Sequence, residues 1–154
     1  RYGYYDDTLI HRTEPSTGII QGGAPKTNDT ADPGPGYTIP DEAEGYTYRP
    51  GQLVMARTNA PNSAGGQFFF TVPPAAANLD GQGTYVVFGE GIEGLEVLSA
   101  ILGSDAGGAP GREVVVRSVT IEQLPPGEFP ALPEPPDDGA VPMIVESEGS
   151  GAAP

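Results

Sequence analysis

Short runs of β-branched and aromatic residues, separated by Gly, Pro, Asn and Asp, recur through the first 123 positions and predict a mainly β protein. Four runs are long enough to read as strands: GQLVMA over Gly51–Ala56, QFFFTV over Gln67–Val72, TYVVF over Thr84–Phe88 and EVVVRSVTIE over Glu113–Glu122. Two shorter ones are TLIHR from Thr8 and GIIQG from Gly18. In the last long run Val114, Val116 and Ser118 alternate with Val115, Arg117 and Val119, which predicts a strand near a sheet edge with one buried and one half-wet face. Between Ile92 and Leu102 the period changes: Ile92, Leu95, Leu98 and Ile101 recur at helical spacing, and Gly103 supplies a stop. From Gln21 to Pro50 no period is visible, and Pro25, Pro33, Pro35 and Pro40 interrupt the chain. A loop of that length inside a domain is usually functional or runs over the surface.

Composition divides the chain in two. Residues 1–123 carry the strand pattern, whereas 124–154 hold eight prolines and six acidic residues without a basic one. That second segment is expected to be a disordered Pro-rich acidic tail, because it lacks the apolar material to offset the entropy of ordering. The 23 glycines and 18 prolines of the 154 residues argue against a helical bundle. With no cysteine there is no disulfide framework, thiolate metal site or cysteine nucleophile. Seven basic against 21 acidic residues, a net charge of −14, speak against a nucleic acid partner, whose phosphates are gathered by clustered Lys and Arg. No stretch approaches the ~18 consecutive apolar residues of a membrane span.

Three features invite a chemical reading and resist it. Gly89, Gly91 and Gly94 follow a strand and open the predicted helix in the G-x-G-x-x-G spacing of a dinucleotide site, but Glu90, Glu93 and Glu96 would repel a pyrophosphate there. His11 is the single histidine, and beside Ile10 in a strand it reads as structural. Asp6 with Asp7, and Asp41 with Glu42 and Glu44, lack the alternating spacing of a calcium loop and read as solvated charge. A different constellation is more informative. Arg12, Gln21 and Gln67 lie in or beside strands with Ile19, Phe68, Phe69, Leu79 and Phe88 as apolar neighbours, which suits a pocket with one fixed cation and no proton to transfer.

The segments YYDDTLIHRTEPSTGIIQGGAP, GPGYTIPDE, YRPGQLVMARTNAPNSAGGQFFFTV and LDGQGTYVVFGEGIEGLEVLSAI, in this order, closely resemble the cyclophilin family of peptidyl-prolyl isomerases. The resemblance runs from about Tyr4 to Ile121. It implies a cyclophilin-like antiparallel β-barrel capped by helices, whose first two strands and first helix would precede Tyr4, so that 1–123 would be an N-terminally incomplete domain. It also implies roles for single residues. Arg12 matches the catalytic arginine, Gln21 the glutamine that binds the substrate backbone and Gln67 the glutamine of the QFF strand. Phe69 and Leu79 match walls of the proline pocket, and Ala56 a wall of the neighbouring subsite.

The chain departs from the family pattern at several points. One residue more than usual separates Arg12 from Gln21, Gly18 falls near the place of a pocket Phe, and Ile19 falls where Met or Val is common. Tyr85 takes the place of a pocket His, Asn78 that of a Trp, and an extra residue lies within MARTNAP, so that Arg57 and Thr58 share a place that often holds Asn. The function expected from the resemblance is catalysis of rotation about Xaa-Pro bonds in proline-containing polypeptides, by a monomer with neither cofactor nor metal. The apolar seat for the ring would be Ile19, Phe69, Leu79 and Tyr85. The alternative is a proline-peptide binding module with little turnover, which the Gly18 departure would favour.

Overall fold

The computed structural model describes residues 3–42 and 45–125. The expected tail 124–154 lies outside these apart from its first two residues. Seven strands and one helix follow in the order β1 (Thr8–Leu9), β2 (Arg12–Glu14), β3 (Ile19–Gly22), β4 (Gln52–Met55), β5 (Phe68–Thr71), β6 (Val87–Glu90), α1 (Leu95–Leu102) and β7 (Val115–Val116). A 3₁₀ turn over Ala76–Leu79 separates β5 from β6. Strands β2-β3-β5-β4-β6 form one antiparallel sheet, and β1 pairs with β7 in a second.

Alternation along the strands divides the apolar residues between the two faces of the larger sheet. Ile19, Val54 and Phe69 join Tyr48 and Leu79 in one cluster, with Ala56, Tyr85 and Val87 packed against it. On the other face Ile20 joins Ile10, Val72 and Leu102, with Leu98 and Ile101 of α1 and Val114 and Val116 against them. The helix therefore caps the face opposite to the first cluster.

Three predicted elements differ in extent, each for a local reason. The strand expected over Thr84–Phe88 begins only at Val87, because the Tyr48 hydroxyl occupies both backbone groups of Tyr85, accepting from its N–H at 2.8 Å and donating to its carbonyl at 2.9 Å. A bulge between Leu53 and Val54 then leaves Phe88 outside the pairing and 53 % exposed. The strand expected over Glu113–Glu122 shrinks to Val115–Val116. Its partner β1 is equally short, and beyond it carboxylates take over from the ladder: Asp6 accepts the Val119 N–H at 3.1 Å, and Asp7 pairs with Arg117 at 3.2 Å. The helix starts at Leu95 rather than Ile92 because Gly94 sits at φ +75°, outside the helical region.

His11 lies between β1 and β2, not inside a strand. Glu90 of the glycine-rich turn pairs with Arg49 at 2.8 Å, so the turn does face a cation, one already neutralised. Asp6, Asp7 and Asp41 are likewise partnered rather than simply solvated.

Candidate active site

The extra residue between Arg12 and Gln21 is absorbed in the turn of the β2-β3 hairpin. Glu14 is the last paired residue on one side and Ile19 the first on the other, which sets Arg12 directly opposite Gln21. Gln21 in turn lies opposite Phe69 on β5. Gly18 closes the hairpin at φ +64°, and a Cβ there would stand 2.2 Å from the carbonyl oxygen of Val72. The position thus admits no side chain. Its backbone instead ties the hairpin to the end of β5, the Gly18 carbonyl accepting the Val72 N–H at 2.7 Å.

Register brings the three polar residues into one hydrogen-bonded row. Arg12 Nη1 donates to Gln21 Oε1 at 3.0 Å, Gln21 Nε2 donates to Gln67 Oε1 at 2.8 Å, and Gln67 Nε2 donates to the Thr30 carbonyl at 3.3 Å. Each bond polarises the next, and the order of donors fixes how both amides face. Gln21 is buried, while the Arg12 side chain is 36 % exposed, so the guanidinium can meet a ligand from solvent. Glu14 lies 3.7 Å from its Nη2. The separation is long and the pair exposed, so the cation is only weakly neutralised.

Beside this row opens a cavity of about 310 Å³. One wall is Thr30 to Thr38, the other runs from Ala56 to Thr58 and from Ser63 to Gly66, and Arg12, Gln21 and Gln67 close it. Asp32 and Arg57 also line it, so the site holds more charge than the single cation expected. Burial works against the charge of Asp32, but N–H groups of Gly34, Lys26 and Thr27 and the nearby Lys26 ammonium hold its carboxyl below the usual range.

The apolar candidates gather separately. Ile19, Phe69 and Leu79 are buried together, and Tyr85 meets Phe69 edge to face at 5.5 Å between ring centres. None of the four lines the cavity. Ala56 belongs to both, lining the cavity and packing on the apolar cluster. The eight residues matched to the family's site therefore lie on one face of the larger sheet or at its margin, in a polar and an apolar compartment that meet at Ala56. Two of the expected apolar neighbours do not join them: Phe68 alternates with Phe69 onto the opposite face, and Phe88 is exposed.

Tyr48 escaped the sequence reading. Its two bonds to Tyr85 fix the backbone of that residue from 37 positions away. Burial, followed by the charges of neighbouring groups, pushes its hydroxyl up to about 12. Its one signal in the sequence is an aromatic in an otherwise unpatterned loop. Asn78, at the place of a family Trp, donates to the Ser16 carbonyl at 2.7 Å and so steadies the hairpin turn. Among the described residues no group of three His, Asp or Glu side chains is placed to hold a metal ion, and no helix is long and apolar enough to cross a membrane.

Comparison with known proteins bears directly on this arrangement. The family described as cyclophilin type peptidyl-prolyl cis-trans isomerase/CLD matches residues 1–124. Peptidyl-prolyl cis-trans isomerase B of Escherichia coli is 35 % identical over 140 residues, covering 80 % of this chain and 81 % of its own. The enzyme of the same name from Streptomyces anulatus is 39 % identical over 126 residues, covering 77 % and 67 %. A crystal structure of a cyclophilin type isomerase from Cryptosporidium parvum, determined in the presence of the dipeptide Ala-Pro, superposes with a TM-score of 0.65 at 32 % identity, over 79 % of this chain and 78 % of that one. The chain belongs to the cyclophilin type peptidyl-prolyl cis-trans isomerase family. Its activity is that of an isomerase, rotation about the peptide bond preceding proline.

Proposed function

We propose that Arg12 supplies the catalytic group for this rotation, that Gln21 and Gln67 hold the peptide on either side of the bond, and that Ile19, Ala56, Phe69, Leu79 and Tyr85 seat the proline and its neighbour. The row Arg12, Gln21, Gln67 carries the reading, since it presents a weakly neutralised guanidinium beside an apolar cluster and a cavity of about 310 Å³. The substrates are proline-containing polypeptides, as the Ala-Pro dipeptide offered to the Cryptosporidium relative supports.

The chemistry follows from the amide. Rotation must break its resonance, at a cost of ~20 kcal/mol, and takes tens to hundreds of seconds unaided. In the twisted state the prolyl nitrogen regains a lone pair to which a guanidinium N–H can donate. The planar ground state offers no such acceptor, so this bond strengthens only on the way to the barrier and accelerates the reaction instead of merely tightening binding. Gln21 keeps Arg12 aimed through the 3.0 Å bond. No covalent bond is made or broken, so no side chain needs to transfer a proton, and the reaction proceeds with the protein's own groups. The protein is expected to act as a monomer.

The reading is tested by NMR exchange spectroscopy on a short Xaa-Pro peptide. Catalytic amounts of the protein are expected to bring cis and trans resonances into exchange within seconds. Binding shifts without exchange would identify a proline-peptide binding module instead.

A further inference from the structure

Arg57 follows Ala56 at the end of β4, and its side chain is only 13 % exposed. Its guanidinium spreads over three backbone carbonyls: Nε donates to Thr58 at 3.2 Å, Nη2 to Ala60 at 3.3 Å and Nη1 to Thr84 at 3.5 Å. The same Nη2 lies 3.6 Å from Asp41 Oδ2. Asp41 is in turn locked to the 57–63 loop by a reciprocal pair: its N–H donates to Asn62 Oδ1 at 2.8 Å, and the Asn62 N–H donates to Asp41 Oδ2 at 2.9 Å. Next to them the Ile39 N–H donates to the Ala64 carbonyl at 2.9 Å.

These bonds join the two opposite walls of the cavity. Asp41 and Ile39 end the stretch that carries Thr30 to Thr38, and Arg57, Asn62 and Ala64 belong to the stretch that carries Ala56 and Gly66. The bond to Thr84 adds a third segment, the one that leads into Tyr85. A planar guanidinium with five donors in fixed directions can meet three carbonyls and a carboxylate at once, which a flexible ammonium cannot. The Thr58 and Ala60 carbonyls also accept from Ser63 Oγ, at 3.3 and 2.7 Å, so the contacts of Arg57 that tie the segments together are the ones that leave its own loop, to Thr84 and Asp41.

We infer that Arg57, braced by Asp41, is a positioning residue that sets the width of the peptide groove. It acts through the walls on the bound chain and leaves the reacting amide to Arg12. This inference rests on the reading that the substrate lies in this groove. Removing the brace lets the walls separate, so the peptide binds less tightly, while a peptide that is bound still meets Arg12 in the same row.

The test measures two quantities on one Xaa-Pro peptide: its dissociation constant by chemical-shift titration and its rotation rate on the enzyme by exchange spectroscopy, both per folded molecule. For Arg57→Ala the dissociation constant is expected to rise about tenfold, a loss of about 1.4 kcal/mol, with the on-enzyme rate changed less than twofold. Arg57→Lys should recover only part of the affinity. Asp41→Ala should weaken binding in the same way, and the double variant should be no weaker than the worse single one, as expected for residues acting as one unit. An unchanged dissociation constant in a folded Arg57→Ala protein, a loss confined to the rate, or additive losses would overturn the inference. Should Arg57→Ala fail to fold, Asp41→Ala and Arg57→Lys decide it, and normal affinity in both overturns it. Absence of exchange with the unaltered protein would sink the functional reading and this inference with it, whereas normal exchange with unmoved affinities sinks this inference alone.

Discussion

Tyr48 and His11 make opposite contributions to the pH range over which the fold is stable. The Tyr48 hydroxyl is raised to about 12 by burial, so the unfolded chain gives up this proton more readily than the folded one. Stability from this group is complete below the ordinary value of 10.0 and is lost as the pH rises toward 12. Tyr48→Phe should therefore flatten the alkaline side of a stability profile, and it should cost about 1–3 kcal/mol at neutral pH by leaving the backbone of Tyr85 unsatisfied, as urea melts would measure. His11 shifts the other way. Burial lowers it below the ordinary 6.5, with Asp29 and then the Gln67 side chain and Leu9 backbone opposing. The unfolded state then takes up a proton first, so stability is full above 6.5 and falls as the pH drops below it. His11→Gln should remove that part of the acid slope, and an unaltered slope would contradict the assignment. Arg12, Gln21 and Gln67 were legible as candidates because each stands in a specific local motif. Tyr48, Arg57 and Asp41 were not, because their work is done by contacts between segments 16 to 37 positions apart, which no local pattern encodes.

At the scale of elements the β2-β3 hairpin decides the geometry of the site. Its turn takes up the residue by which this chain exceeds the usual spacing and still leaves Arg12 opposite Gln21. That turn depends on Gly18, which has both a positive φ and a carbonyl oxygen 2.2 Å from where a Cβ would be. Gly18→Ala should therefore cost at least ~2 kcal/mol, the scale of left-handed strain together with a backbone clash. The lost stability should appear in a denaturant midpoint. A wild-type midpoint would show that the hairpin is looser than described. The absence of a side chain at Gly18 is thus a packing requirement of the turn and does not argue for a module that binds without turnover. Strands β3, β4 and β5 were legible from their apolar runs because each is paired on both sides and buried. The edges were not: β6 starts late because a tyrosine hydroxyl competes for its backbone, and β7 is cut short because carboxylates replace its partner. Local pattern records what a strand could bury, and the tertiary partner determines how far it is paired.

In the molecule as a whole the sheet separates stability from chemistry. Phe69, Leu79 and Ile19 pack on the face that carries Arg12 and Gln21, while Ile20, Val72 and Leu102 pack under α1 on the other. Ile20→Val, which removes one methylene from a fully buried side chain, should cost about 0.5–1.5 kcal/mol and leave kcat/KM per folded molecule unchanged. A proportionate loss of activity would mean that the two faces are coupled. The mainly β class and helix α1 could be read from the alternation and the helical period. The division of apolar residues between two faces could not, because it depends on register across strands that are far apart in sequence. The proposed stabilisation of the twisted amide by Arg12 is tested by Arg12→Ala followed by exchange spectroscopy and peptide titration. The value of kcat/KM for Xaa-Pro rotation should fall by about 10²–10³, the scale of a lost transition-state donor, with a much smaller loss of peptide affinity and poor rescue by Arg12→Lys. Equal losses of affinity and rate, or unchanged rotation, would contradict it.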